Sequence, residues 1–502
     1  MPQLNQGFNL LMKSVKMGLT ATDPGTEVIL ENVPPKKRTW SDIFTVICCG
    51  FALISDGYQN NLMTMINLVY TNEYPDEYNS TMKTRVSNSL LIGQIIGQIV
   101  IGLTCDYMGR KWAITTTTLV IVVGGIMSTA AHGVTPTGMF WMIVVARGVI
   151  GFGAGGEYPA SSTSASEAAN ETTKTRRGML FVLVTNLPLA FGGPFALIVF
   201  LIVWEAAGGP DHLSTIWRVC FGIGCIWPLT VFYFRVKMAP SRLYTKGAMR
   251  KKVPYWLILK YYWPRLVGTC GAWFFYDFVT FPNGIFSGTI LSSVLGGDQS
   301  DLKKVGEWQL LLGSIALPGV FLGALVCDKI GRKYTMMIGF SGYLVFGLII
   351  GCAYDQIKEI IPLFVIFYGL MNSMGNFGPG NMMGLVSSES YATGVRGTAY
   401  GISAAVGKAG AAIGTQVFTP IQDNLGKKWT FIIAAIVGTL GILITFFFIP
   451  HLKEEDLILE DELFKKYLTD NGWTGEIGLE PAENVIDTER TSTTNRSTTQ
   501  AS

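Results

Sequence analysis

The sequence predicts an all-α membrane protein with twelve transmembrane helices in two six-helix bundles. Three observations carry that expectation. Of 502 residues, 49% are hydrophobic and only 15% are charged, against about 25% charge in ordinary globular domains. The apolar residues gather into runs long enough to cross a bilayer, which takes about 20 residues per helix. The runs fall into two sets of six that echo each other at a fixed offset. The first two observations exclude a soluble multidomain enzyme.

Residues 1–39 are polar and include Lys36, Lys37 and Arg38. They lack a short apolar core followed by a small-residue cleavage site, so this stretch reads as an N-terminal tail and not a removable signal peptide. Apolar runs follow at 43–69, 87–104, 112–131, 138–160, 178–204 and 214–234, within a first bundle at 40–235. A linker spans 236–264. Six more runs, at 266–290, 307–327, 334–353, 360–387, 398–421 and 429–449, make a second bundle at 265–450. Residues 451–502 hold 12 of the 35 acids and then turn Ser/Thr-rich, a composition expected to stay disordered.

Loop Lys and Arg residues favour the cytosol. From Arg235 to Arg265 there are nine basic residues and no acid, and further basic clusters include Arg110–Lys111, Lys174–Arg176–Arg177 and Lys329–Arg332–Lys333. The alternate loops are neutral or acidic, as at Glu73–Asp76–Glu77. Both termini are therefore expected in the cytosol. Asn79-Ser80-Thr81 then becomes a glycosylation sequon in an outer loop, whereas the sequons at Asn170 and Asn495 fall on the cytosolic side and should stay bare.

The eight cysteines lie in or beside apolar runs and read as free buried thiols, and the three histidines are isolated. No metal site or cofactor is expected. A net charge of +3 is too small to suggest nucleic-acid binding. No nucleophile–base pair suggests an enzyme.

Asp106-Tyr-Met-Gly109-Arg110-Lys111 after the second run returns as Asp328-Lys-Ile-Gly331-Arg332-Lys333 after the eighth, 222 residues later. A second echo follows runs four and ten: Glu167…Arg177-Gly178 and Glu389…Arg396-Gly397. A duplicated six-helix unit with a site between its halves is a known transporter plan. Five ionisable residues stand out well inside the runs: Asp56, Arg147, Glu157, Asp277 and Lys408. Such residues are costly in a membrane and usually face a cavity or a partner. Helical spacing puts three stripes along a path: Asp56, Gln59, Asn60 and Met63; Arg147, Gly151, Ala154 and Tyr158; Trp273, Asp277, Phe281 and Gly284. The glycines at 93 and 97, 151–156, and 410 and 414 read as close helix packing.

Gly102-Leu-Thr-Cys-Asp106-Tyr-Met-Gly109-Arg110-Lys111 and Arg147-Gly148…Gly151-x-Gly153 resemble the signature motifs of the major facilitator superfamily. Gly155-Gly156-Glu157-Tyr158-Pro159, Trp273-x3-Asp277, Asn376-Phe-Gly-Pro379 and Gly401-Ile-Ser-Ala-Ala-x-Gly407-Lys408 resemble its phosphate:proton symporter branch. Within that branch the chain is most similar to the fungal glycerophosphodiester transporters. The resemblance implies that Tyr158, Asn186, Trp273, Asp277, Phe281, Asn381 and Lys408 surround the substrate. It implies that Asp56, Glu157 and Asp277 carry protons. Asp106, Arg110, Asp328 and Arg332 are expected to clamp one face shut, with Arg147 structural or gating. Two departures bear on cargo: the branch's phosphate carriers have Tyr where this chain has Phe281, and Gly380 delays Asn381 by one residue. Both suit a phosphodiester better than bare phosphate. The expected protein is a monomeric plasma-membrane importer of glycerophosphoinositol or glycerophosphocholine with protons, its partners being the organophosphate, protons and lipid. The rivals are an inorganic phosphate:proton symporter and a nutrient sensor.

Overall fold

The computed structural model describes residues 53–475 together with Ile47 and Ile477, leaving out 173–175, 238–243, 245–246, 248, 250–252, 297–300 and 453–455. The expected N-terminal tail, Cys48, Cys49, Asn495 and the Ser/Thr-rich end lie outside the described residues. From residue 47 onward the described residues form one compact unit.

Among the described residues, twelve helical passages run through it. The first five are Leu53–Glu73, Ser80–Met108, Arg110–Thr129, Pro136–Thr172 and Arg177–Ala207. The sixth is broken at Cys225 into Leu213–Gly224 and Ile226–Lys237. The seventh to ninth are Tyr255–Val294, Leu302–Ile330 and Arg332–Cys352. The tenth joins Ile361–Gly375 to Asn381–Glu389 through a π-helical turn, Asn376–Gly380. Arg396–Leu425 and Lys428–Phe448 complete the set. Among the described residues, eight helical stretches are long and apolar enough to cross a membrane. The passages that fall short have an evident reason. The first carries Asp56, Asn60 and Asn61, the seventh Asp277 and the eleventh Lys408, while the tenth is interrupted.

Small residues set the distances between passages. The second and fourth meet where Gly93 and Gly97 lie on the backbone of Gly148 and Phe152, and Gly151 and Gly155 lie on Leu90 and Gln94. A Cβ at any of these four would strike backbone. Such contacts let transmembrane helices approach closely enough for dispersion to hold them.

The repeated loops fold alike. Gly109 and Gly331 end their helices at φ 104° and 89°, a region that disfavours side chains. In each copy the Asp four residues before the Arg pairs with it, Asp106–Arg110 at 2.5 Å and Asp328–Arg332 at 3.0 Å.

The tail corrects an expectation. Asp456–Asp470 is a helix, not disordered chain. Leu457, Phe464 and Leu468 are buried on one side of it, with Phe464 and Leu468 packed beside Tyr262 and Tyr391. Apolar spacing within an acidic segment is enough to dock it. The thiols differ too: Cys352 is exposed and Cys270 half-buried, whereas Cys105, Cys220, Cys225 and Cys327 are buried.

Candidate functional site

A cavity of about 230 Å³ lies among passages from both halves of the chain. Asp56, Tyr158, Asn186, Trp273, Asp277, Phe281, Asn381 and Lys408 all line it. These include all seven expected substrate contacts. The stripe on the seventh passage lines it as a whole, through Trp273, Asp277, Phe281 and Gly284. On the first passage the lining residues are Leu53, Asp56, Gly57, Asn60 and Asn61. Gln59 instead points at Gly224 of the sixth passage, and Met63 packs in the core.

Asp277, Asp56 and Lys408 are the charged residues of this lining. Lys408 Nζ lies 3.0 Å from Asp277 Oδ2 and 3.8 Å from the ring centroid of Phe281. A cation over an aromatic face is held by the ring quadrupole, so Phe281 does more than omit a hydroxyl. The ring of Tyr158 stands 5.1 Å from the same ammonium. Its hydroxyl donates to Asp56 Oδ2 at 2.6 Å. Asn60 Nδ2 donates to Asp56 Oδ1 at 2.8 Å, and Gln94 Nε2 donates to the same oxygen. Trp273 packs edge-on against Tyr158 at 6.2 Å, with its indole N–H donating to Ser387 at 2.9 Å.

The delayed Asn381 still reaches the cavity. A π-helical turn widens the helix by one residue, and the turn at Asn376–Gly380 falls where Gly380 lengthens the motif. Asn381 Oδ1 then accepts from Asn186 Nδ2 at 2.6 Å, joining the fifth and tenth passages.

Two expected site residues lie elsewhere. Glu157 is fully buried outside the lining and pairs with Arg235 Nη1 at 2.6 Å, beside Thr118. Arg147 is buried, and its Nε donates to the Val86 carbonyl at 3.0 Å. Sequence reading missed Arg235 because it stands at the edge of the sixth run, where an arginine looks like a loop charge. A buried Glu with no visible counter-ion was the signal that could have found it.

A duplicated lock ties the two halves of the chain together. Asp106 accepts from the Gly397 and Thr398 backbone N–H groups at 3.0 and 2.6 Å, capping the eleventh passage. Asp328 accepts from the Gly178 and Met179 N–H groups at 3.1 and 2.9 Å, capping the fifth. Each caps a helix in the other half, using the unpaired donors and positive end of its first turn. The second echo joins the same loops crosswise. Glu167 pairs with Arg110 at 3.1 Å and Arg396 at 3.3 Å, while Glu389 pairs with Arg332 at 3.0 Å and Arg177 at 2.9 Å.

The tail helix braces this lock. Asp461 accepts from the N–H and hydroxyl of Thr393 at 2.6 and 2.7 Å, while Arg110 donates to the Thr393 carbonyl at 3.2 Å. Burial pushes the Asp461 carboxyl above the usual carboxylate range, with Arg396 opposing the shift. Glu460 accepts from the Tyr262 hydroxyl and pairs with Arg265 at 2.7 Å.

The site can hold an anion at Lys408 and donate to it from neutral groups. Known proteins agree with a transport role. Residues 43–253 and 243–464 match the family model described as sugar (and other) transporter. The chain is 63% identical over 452 residues to "Glycerophosphoinositol permease 1" of Candida albicans, covering 90% of this chain and 86% of that protein. It is 57% identical over 449 residues to "Glycerophosphoinositol transporter 1" of Saccharomyces cerevisiae, covering 89% and 86%. The solved major facilitator proton:xylose symporter XylE superposes with a TM-score of 0.71 at 18% identity, over 84% of this chain and 99% of that one, a likeness in fold alone. The chain is therefore a membrane transporter of the major facilitator fold and belongs to the sugar (and other) transporter family.

Proposed function

We propose that the protein imports glycerophosphodiesters, glycerophosphoinositol foremost, together with protons across the plasma membrane. The observation that carries this reading is the Lys408–Asp277 pair inside the shared cavity. An anion that engages Lys408 takes the counter-charge from Asp277. The Asp277 carboxyl must then carry a proton, which also turns it from an acceptor into a donor. Anion and proton thereby bind together. Asp56, bonded to Tyr158, is the second proton carrier in this reading. The names of the two close relatives support the cargo.

The halves at 40–235 and 265–450 rock about the cavity, and the duplicated lock closes its cytosolic side. Both termini and the basic linker then face the cytosol, with Asn79 outside. Asn79 is exposed and caps the second passage through its Oδ1, which accepts from Met82 N at 3.0 Å. That leaves its amide nitrogen available for a glycan.

Uptake of labelled glycerophosphoinositol and labelled phosphate by cells lacking their own carriers tests the reading. Proton-driven accumulation of the diester supports it. Accumulation of phosphate alone returns the inorganic phosphate rival.

A further inference from the structure

The cavity is chemically lopsided. Along the seventh passage it is lined from Trp273 through Asp277 to Ser287, and ten residues of helix from Asp277 to Ser287 span ~15 Å. All three charged lining residues sit at the Asp277 end, since Lys408 bonds Asp277 and contacts Tyr158, which bonds Asp56. From Thr280 to Ser287 no further charged residue joins the lining.

Gln309 stands at the Ser287 end. It lines the cavity, is 6% exposed, and donates from Nε2 to Ser287 Oγ at 2.6 Å. Its Oε1 is buried with no hydrogen-bond partner among the described residues. A buried amide oxygen without a donor is costly unless something else supplies one. Asn372 and Asn376 line the same cavity one helical turn apart on the tenth passage, between the two ends, since Tyr368 of that passage bonds the Asn283 carbonyl and Gly380 lies against Tyr276. Asn376 spends its nitrogen on the Ala316 carbonyl at 3.0 Å, leaving its oxygen as an acceptor. Tyr343 and Thr280 add a hydroxyl pair at 2.7 Å.

We propose that the uncharged stretch of the cavity from Gln309 to Asn376 is a separate subsite for a cyclic polyol, with Gln309, Asn372 and Asn376 reading the ring hydroxyls of an inositol head group. The proposal rests on the transport reading above and assigns its head group. A hydroxyl both donates and accepts, as an amide does. It can satisfy Gln309 Oε1, which a trimethylammonium group cannot, having no N–H. Choline recognition calls for an aromatic cage, and the rings of Phe281 and Tyr158 are taken up by Lys408 at the opposite end. The phosphodiester would bridge the two ends, with its charge on Lys408 and its polyol against the amides.

The test compares wild type with Gln309→Leu, Asn372→Leu and Lys408→Met at equal surface abundance. The readouts are KM for glycerophosphoinositol, and the concentrations of glycerophosphocholine and of inorganic phosphate that halve its uptake. Gln309→Leu and Asn372→Leu should each raise the glycerophosphoinositol KM roughly five- to ten-fold. Both competitors, measured against that KM, should become correspondingly more effective. Lys408→Met should abolish uptake. If wild type carries no glycerophosphoinositol, the transport reading itself fails. If wild type carries it and both Leu variants keep their KM, or weaken all three ligands alike, the polyol subsite is overturned.

Discussion

The Lys408 ammonium lies 3.0 Å from the Asp277 carboxylate, both side chains all but inaccessible to solvent. Removing one partner of such a pair leaves an uncompensated charge, a loss of about 3–5 kcal/mol. Lys408→Met should therefore reduce both protein abundance and anion uptake, and the double variant Lys408→Met/Asp277→Asn should recover abundance without recovering uptake. Surface quantification beside an uptake assay checks this. Recovery of uptake by the double variant would mean that the pair is structural.

Asp277→Asn nearly keeps size and hydrogen-bonding capacity while removing the titrating proton. Accumulation against a gradient should be lost, with exchange of internal for external substrate retained. Counterflow measured beside net uptake separates the two. Asp56→Asn should behave likewise, since Asp56 faces the same cavity. Glu157→Gln should instead lower abundance, because it loosens the buried pair with Arg235. Accumulation by Asp277→Asn equal to wild type would remove the coupling assignment.

Much of the site was legible because membrane burial leaves ionisable residues little choice. Asp56, Asp277 and Lys408 announced the cavity through their cost alone, and the stripe from Trp273 to Gly284 followed from helical spacing. Glu157 and Arg147 satisfy that cost inside helix packing instead of in the cavity, Glu157 against Arg235 and Arg147 on the Val86 carbonyl. Local sequence does not say which of the two outcomes a buried charge takes. The Asn381 register was also out of reach, since a one-residue delay reads as displacement until the π-helical turn is seen. The duplicated lock was half visible. The two echoes were clear, but not that Glu167 would pair with Arg396 and Glu389 with Arg177, each across the repeat.

That crosswise pairing yields its own prediction. Cys105 is fully buried against Gly397, next to the Asp106 cap. In a chain whose only cysteine is Cys105, a membrane-permeant thiol reagent should label slowly. Asp106→Ala and Asp461→Ala should each speed labelling several-fold by loosening the lock, and added substrate should change the rate further. Rates equal to the parent would show that these carboxylates do not hold this face closed.

Phe281 holds the Lys408 ammonium at 3.8 Å from its ring centre. Phe281→Tyr keeps the ring and adds a donor. A neutral hydrogen bond contributes about 1 kcal/mol, so the phosphate-to-diester uptake ratio should rise several-fold. An unchanged ratio would mean that this position does not select cargo.

Topology is checked by endoglycosidase treatment of wild type and Asn79→Gln, which should differ in mobility for wild type only. Glycan found at Asn170 would invert the orientation.

The most direct test is reconstitution of the purified protein in liposomes, with labelled glycerophosphoinositol outside and an imposed proton gradient, acid outside. The account predicts uptake well above equilibrium that collapses with a protonophore, and its loss in Asp277→Asn. Uptake that stops at equilibrium whatever the gradient, or that occurs for inorganic phosphate but not for the diester, would contradict it.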